Sequence, residues 1–322
     1  MFAKSKETPQ GVIPKRRMGF RDGIQELWTN KFLYGMMLPG IAWVILFSYV
    51  PLYGVLIAFK KFSYRLGIWG SPWAGLDNFK FLFNYNGVGR IFFNTIFLNV
   101  LFIAASTFFS VALALVFSEI KNSAYKKAVQ TIAIFPHFVS WTVVALFLSG
   151  IIGGSGMLVK IITALGGQNP HFYDHAGFWP AIFVFLKIWQ GAGYGTIVYV
   201  AVITGLDQEM YEAAKIDGAS RWQQITKITL PLLKVTIIML TIMAIGRIFN
   251  GDFGMIYAII GDNPTLYATT DVVDTFVYRA LRQLNNLGMS TATGLFQSLV
   301  GFMLVMLTNR LTKLVEPDAA LF

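Results

Sequence analysis

"EMYEAAKIDGASRWQQITKITLPLL", residues 209–233, decides how the rest of the chain is read. It is polar, helical in pattern and broken once by a glycine, yet it lies between apolar runs long enough to cross a bilayer. Asp207 is placed to cap a helix starting at Gln208, with Glu209 near the positive end of the helix dipole. Met210, Ala213, Ala214 and Asp217 share one side of that helix at i, i+3, i+4 and i+7. Gly218 suits a left-handed helix end. Ser220 with Gln223 three residues on predicts a capping box, and Trp222, Ile225 and Thr229 then recur at helical spacing. Pro231 is read as the start of the next apolar helix, where its missing N–H costs little. The predicted unit is a helix, a sharp turn and a second helix. Ala213 and Ala214 allow another backbone to approach closely, and Glu212 adds a fixed charge. That combination suits a knob entering a partner's cleft; an amphipathic connector packed on its own bundle would use the same residues.

The composition explains why such a stretch stands out. Of 322 residues, 55% are hydrophobic and 13% charged, against about 25% charged in soluble domains. The expected class is an all-α polytopic membrane protein with about six transmembrane helices, since a span needs roughly 20 apolar residues. The candidate runs lie near 34–59, 92–117, 128–150, 179–204, 232–260 and 291–312, the fifth interrupted by Gly246, Gly251 and Gly254. The first begins after Lys31 and is too long for a cleavable signal, so it reads as a retained span. With the N-terminus inside, 16 of the 26 Lys and Arg residues fall in inner segments, 8 in outer ones, and Lys187 and Arg247 within spans. That bias predicts cytoplasmic termini and puts the connector in the cytoplasm.

Residues 1–31 are expected to be a cytoplasmic segment whose Phe20, Ile24, Leu27 and Trp28 form a helix in the interface plane. Residues 32–312 form the membrane domain, with the polar connector at 205–231, and 313–322 form a cytoplasmic tail. The formal charge of +10 is read as orientation and contact with membrane lipid; no basic tract of the nucleic-acid-binding kind is present. With no cysteine, disulfides, thiolate chemistry and cysteine metal sites are excluded.

The order Glu212-Ala213-Ala214, three residues, Gly218, nine residues, Ile228, one residue, Leu230-Pro231 resembles the EAA loop of ABC importer permeases. Three further stretches are similar to sugar-importer permeases, in particular the polysaccharide type of Gram-positive bacteria. They are "LPGIAWVILFSYVPLYGVLIAFKKFS", "GIWGSPWAGLDNF" and "DVVDTFVYRALRQLNNLGMSTATGLFQSLVGFMLVMLTNRLTK". The resemblance implies that the loop is a coupling helix docking in a cleft of an ATPase subunit. It implies a second, related permease as heterodimer partner, two ATP-binding subunits and an extracellular lipid-anchored solute-binding protein in a bacterial cell membrane. The cargo it implies is an oligosaccharide. ATP and Mg would sit on the partner subunits, with no cofactor and no catalytic residue on this chain.

A sugar path needs amides and carboxylates for hydroxyls and flat rings for C–H faces, and an intramembrane polar residue is functional by default. "IGRIFNGDFGMIYAI" supplies Asn250, Asp252, Phe253 and Tyr257, and "KIWQGAGYG" supplies Lys187, Trp189, Gln190 and Tyr194. These eight are the expected path. A structural pair of Arg247 with Asp252 is the competing reading. Broken helices are a common way to build such sites. "GAGYG", 191–195, lacks the strand-turn-helix setting of a dinucleotide site and reads as close helix packing. "GGSG", 153–156, is followed by no Gly-Lys pair, so no phosphate loop is present. His171, Asp174 and His175 read as an outer-loop polar cluster, with no metal site expected. The alternative functions are an importer permease for a polyol or amino acid, an ion-coupled secondary transporter using Lys187, Arg247 and Asp252, and a membrane enzyme built on Asp271 and Asp274. The secondary transporter leaves the EAA spacing unexplained, and Asp271 and Asp274 read as loop capping.

Overall fold

The computed structural model of the protein describes residues 28–80, 87–283 and 285–321. Among them, six stretches are long and apolar enough to cross a membrane: Lys31–Phe59, Val88–Glu119, Trp141–Ala164, Ala176–Thr204, Arg221–Ile245 and Leu287–Leu314. The chain is all-α; the extended pairing among the described residues is one isolated bridge, Lys60 with Trp73. Phe20, Ile24 and Leu27 of the expected interfacial helix lie outside the described residues.

The chain divides into two units, Met1–Gly54 and Val55–Phe322. In the first, helix α1 (Lys31–Val44) runs into a π turn, Ile45–Tyr49, just ahead of Pro51. The second unit repeats this device: the π turn Ile225–Thr229 stands just ahead of Pro231, and the Leu230 N–H bonds Ile225 O. A proline ring crowds the carbonyl four residues back and offers no N–H. A wide turn ahead of it shifts the carbonyl register, so the helix continues through the proline. Pro231 stands in the first turn of the α-helix Leu230–Ile245, as the sequence reading expected, but that helix continues without a break the run that begins at Arg221.

In the second unit, α2 (Val88–Glu119) and α6 (Trp179–Thr204) pack along most of their length. Leu98 and Phe102 of α2 join Trp179, Phe183 and Leu186 of α6 in the main core. Val144 of α4 (Trp141–Ile152) and Met255 and Ile256 of α10 (Phe253–Ile260) complete it. Lipid is as apolar as leucine, so membrane helices associate through small residues and interhelical hydrogen bonds. Both occur in "GAGYG". The Ser110 hydroxyl donates to Ala192 O at 3.1 Å. A Cβ on Gly193 would collide with the Ala133 carbonyl, and one on Gly195 with Ser110 Oγ. The reading of this stretch as close packing holds. Gly193→Leu should destabilise the protein by about 2 kcal/mol or more. Gly191→Ala, whose methyl meets nothing within 4 Å, should melt like wild type; thermal melting in detergent compares the two.

Two predicted spans move. The third was expected at 128–150. Instead α3 (Ser123–Ile134) ends in a 3-10 turn, Phe135–Phe138, and α4 starts at Trp141 behind Ser140. Pro136 breaks the helix and the Ser140 hydroxyl, accepting from the Val143 N–H, starts a new one. Hydropathy does not register this break. After a non-helical break at 153–156, α5 (Met157–Ala164) follows, so the apolar stretch extends past the expected end at 150. The fifth span ends with α9 (Leu230–Ile245), and residues 246–252 are non-helical before α10. The interruption falls where Gly246 and Gly251 predicted it, while Gly254 sits inside α10. A Cβ on Gly251 would come within 2.8 Å of Val272 and 2.9 Å of Asp274. Helix α11 (Val273–Arg282) and α12 (Leu287–Val315) complete the unit.

Candidate functional site

Two places carry the polar groups that a membrane chain does not spend on its own folding. The first is the connector. Helix α7 (Gln208–Ile216) begins at Asp207, whose carboxylate accepts from the Glu209 N–H at 2.9 Å. It ends in a Schellman arrangement: the Gly218 N–H bonds Lys215 O at 3.1 Å and the Ala219 N–H bonds Ala214 O at 2.8 Å. Gly218 has φ +76°. The next helix, α8 (Arg221–Gln224), opens with the full capping box; Gln223 accepts from the Ser220 N–H at 2.7 Å, and Ser220 from the Gln223 N–H at 3.3 Å. The Tyr211 and Thr229 hydroxyls, 2.9 Å apart, tie α7 to the long helix behind it.

The tie leaves the other side of α7 uncovered. Glu212, Ala213 and Gly218 are exposed and Ala214 half-buried. Ile216 is 87% and Trp222 72% exposed, although both are large and apolar. Ile228 and Leu230 are half-buried, with Leu230 packed against the core around Leu233. The predicted seven-residue pattern thus splits: Glu212, Ala213, Ala214 and Gly218 form the presented element, and Ile228, Leu230 and Pro231 belong to the helix that carries it.

The second place is an open cleft of about 780 Å³ at the break between α9 and α10. Of the eight path residues, Lys187, Asn250, Asp252 and Phe253 line it. The other four are elsewhere. Gln190 donates to Val139 O at 3.0 Å and pins the α3–α4 break. Tyr194 stacks on His137 at 4.0 Å. Tyr257 packs on Phe253 and Tyr278, and Trp189 is exposed outside the cleft lining. Gln190 and Tyr194 lie at i+3 and i+7 from Lys187 on the same side of α6, but further along it, where they meet the α3–α4 break, whereas Trp189 is turned to the opposite side. Asn99, Ser106 and Thr107 of α2 also line the cleft and were missed. Their spacing at i, i+7 and i+8 puts them on one helix face and was the available signal.

Asp252 pairs with Lys187, Nζ to Oδ2 2.6 Å, and not with Arg247. Its Oδ1 accepts from the Met255 N–H at 3.1 Å, capping α10. One carboxylate thus fastens the broken segment to α6 and starts the following helix. Asp271 and Asp274 have structural partners. Arg279 donates to both Asp271 oxygens at 2.9 and 2.7 Å, and Asp274 accepts from the Gly251 N–H and from Gln297. Beside them, burial and a hydrogen bond to Asp262 push the Tyr267 phenol up. Neither acid is free to act as a surface catalytic group.

A family model described as "Binding-protein-dependent transport system inner membrane component" matches residues 106–320. The chain belongs to this family. It is 38% identical to the polygalacturonan/rhamnogalacturonan transport system permease protein YteP of Bacillus subtilis (strain 168), across 89% of each chain. Among solved structures it resembles a chain of a bacterial ABC transporter involved in the import of the acidic polysaccharide alginate. That match has a TM-score of 0.82 and 33% identity, and covers 91% of this chain and 99% of that one. It also resembles a chain of a bacterial alginate transporter in complex with alginate pentasaccharide-bound periplasmic protein, with a TM-score of 0.80, 32% identity, and 90% and 97% coverage. The protein is a multi-pass ABC importer permease, a membrane subunit and not an enzyme. Such permeases work with a partner permease, ATPases and a solute-binding protein.

Proposed function

We propose that this permease imports oligosaccharides and receives the force for doing so through α7. The observation that carries the coupling role is the presentation of α7: a short helix capped at both ends, tied by one hydroxyl pair to Thr229 of the π turn, with Glu212, Ala213 and Ile216 uncovered and Trp222 of α8 exposed beside it. Exposed large apolar groups beside a small-residue face mark a docking surface. Of two ATP-binding subunits, which hold ATP and Mg, one receives this helix in a cleft. ATP-driven closure of those subunits moves α7, and the continuous helix Arg221–Ile245 transmits the motion to the cleft at its far end. A second, different permease faces this one, both termini are cytoplasmic, and a lipid-anchored binding protein delivers cargo from outside.

The cleft supports the sugar reading through its chemistry. Asn99, Ser106, Thr107 and Asn250 offer amide and hydroxyl groups, while Phe102 and Phe253 offer ring faces. The similarity to permeases whose names refer to polygalacturonan and alginate points the same way. The test is ATP hydrolysis by the complete complex in nanodiscs, with binding protein loaded with defined oligosaccharides. Stimulation by a loaded sugar is the expected result. Stimulation by loaded amino acids or polyols alone would replace the cargo. Uptake driven by an ion gradient without ATP would remove the reading.

A further inference from the structure

The charges in the cleft do not balance. Its lining contains two cations, Lys187 and Arg247, and one anion, Asp252. Lys187 is 2.6 Å from Asp252 Oδ2, and Asp252 Oδ1 is held by the Met255 N–H. Both carboxylate oxygens are therefore engaged. Asp274, the next acid along the chain, is turned to the Gly251 N–H and Gln297. Among the described residues nothing pairs with Arg247, which is exposed and lines the cleft three residues before Asn250. A guanidinium keeps its charge at any physiological pH. Exposed in a cleft beside the end of a membrane span and without a counter-ion, it is free to pair with a bound anion. Its planar fork matches a carboxylate in two-point geometry.

We infer that Arg247 selects sugars that carry a carboxylate, so that the cargo is a uronic-acid oligosaccharide. The inference rests on the oligosaccharide reading above and narrows it. Neutral hydroxyls would be served by Asn99, Ser106, Thr107 and Asn250 alone; the unpaired cation is the element that a neutral sugar does not require. Lys187 is not equivalent, because its charge is already spent on fastening the broken helix.

The experiment compares uptake of oligogalacturonate, oligoalginate, the methyl esters of both, and a neutral galacto-oligosaccharide of equal length. It uses the full complex with its binding protein in proteoliposomes. The binding protein contributes its own preference, but it is common to wild type and variants. The ratio of acid to ester uptake, taken in a variant relative to wild type, isolates the permease. Wild type should favour at least one acid over its ester. Arg247→Gln should reduce that preference on the order of tenfold, mainly by slowing the acid. Arg247→Lys, which keeps the charge and loses the two-point fork, should fall between wild type and Arg247→Gln. Three results would overturn the inference: an unchanged ratio in Arg247→Gln, uptake of the neutral sugar only, or equal loss of acid and ester with failed assembly, which would mean that the partner permease pairs with the guanidinium. Uptake of no sugar by wild type would instead bring down the oligosaccharide reading itself, and this inference with it.

Discussion

Gly218→Pro is expected to leave the complex assembled but to hold ATP hydrolysis at its basal rate whatever loaded binding protein is added. Gly218 sits at φ +76° and its N–H closes the end of α7 on Lys215 O. Proline locks φ near −65° and has no N–H, so the substitution conflicts with the turn twice, at a cost of about 3 kcal/mol or more. That cost falls on the junction between α7 and α8 and not on the membrane core. Gly218→Ala is the internal comparison. A Cβ there meets nothing within 4 Å, so alanine adds only the left-handed penalty of about 1–2 kcal/mol, and most of the stimulation should survive. Hydrolysis measured with both variants, with assembly followed by size exclusion, decides the matter. A fully stimulated Gly218→Pro complex would show that the angle between the two helices carries no force.

The second large effect is expected at the ion pair. Removing one partner of a buried pair costs about 3–5 kcal/mol because a lone charge remains. Here the side chains are 32% and 21% exposed, and solvent in the cleft reduces the loss to about 1–3 kcal/mol. Lys187→Met or Asp252→Asn alone should lower the melting temperature by roughly 2–6 °C. The double variant should recover much of that loss, because no unpaired charge is left. Asp252→Ala should be worse than Asp252→Asn, since it also removes the acceptor for the Met255 N–H. Single-variant losses that simply add in the double variant would mean that the two groups act independently, and that the pair does not hold the broken segment to α6.

The connector was legible almost residue by residue. Its start at Gln208, the left-handed Gly218 and the Ser220–Gln223 box follow from interactions between residues at most five apart, and such interactions are written in the order of the side chains. The number of spans was legible because burial in lipid needs only length and composition. Boundaries were less so where a cap competes with hydropathy: Pro136 and Ser140 shift the third span, and the π turn ahead of Pro231 lets a helix pass a residue that usually starts one. The cleft was half legible. Asn250, Asp252 and Phe253 stand near a glycine break that the sequence displays, and Lys187 was found as an intramembrane charge. Asn99, Ser106 and Thr107 lie far away in the chain and look like ordinary helix residues until α2 is laid against the break.

By itself, then, the sequence determined the all-α membrane class, the capped connector between the fourth and fifth spans, and the place where the fifth helix breaks. Each is a matter of local hydrogen bonding or of transfer into lipid. Only the tertiary structure decided that Asp252 answers Lys187 and leaves Arg247 without a partner among the described residues, and that Gln190, Tyr194 and Tyr257 do not line the cleft. Which charge meets which depends on how α6 and the broken segment cross. They meet in the core that Phe183 and Leu186 share with Met255 and Ile256, residues that have no proximity in the chain.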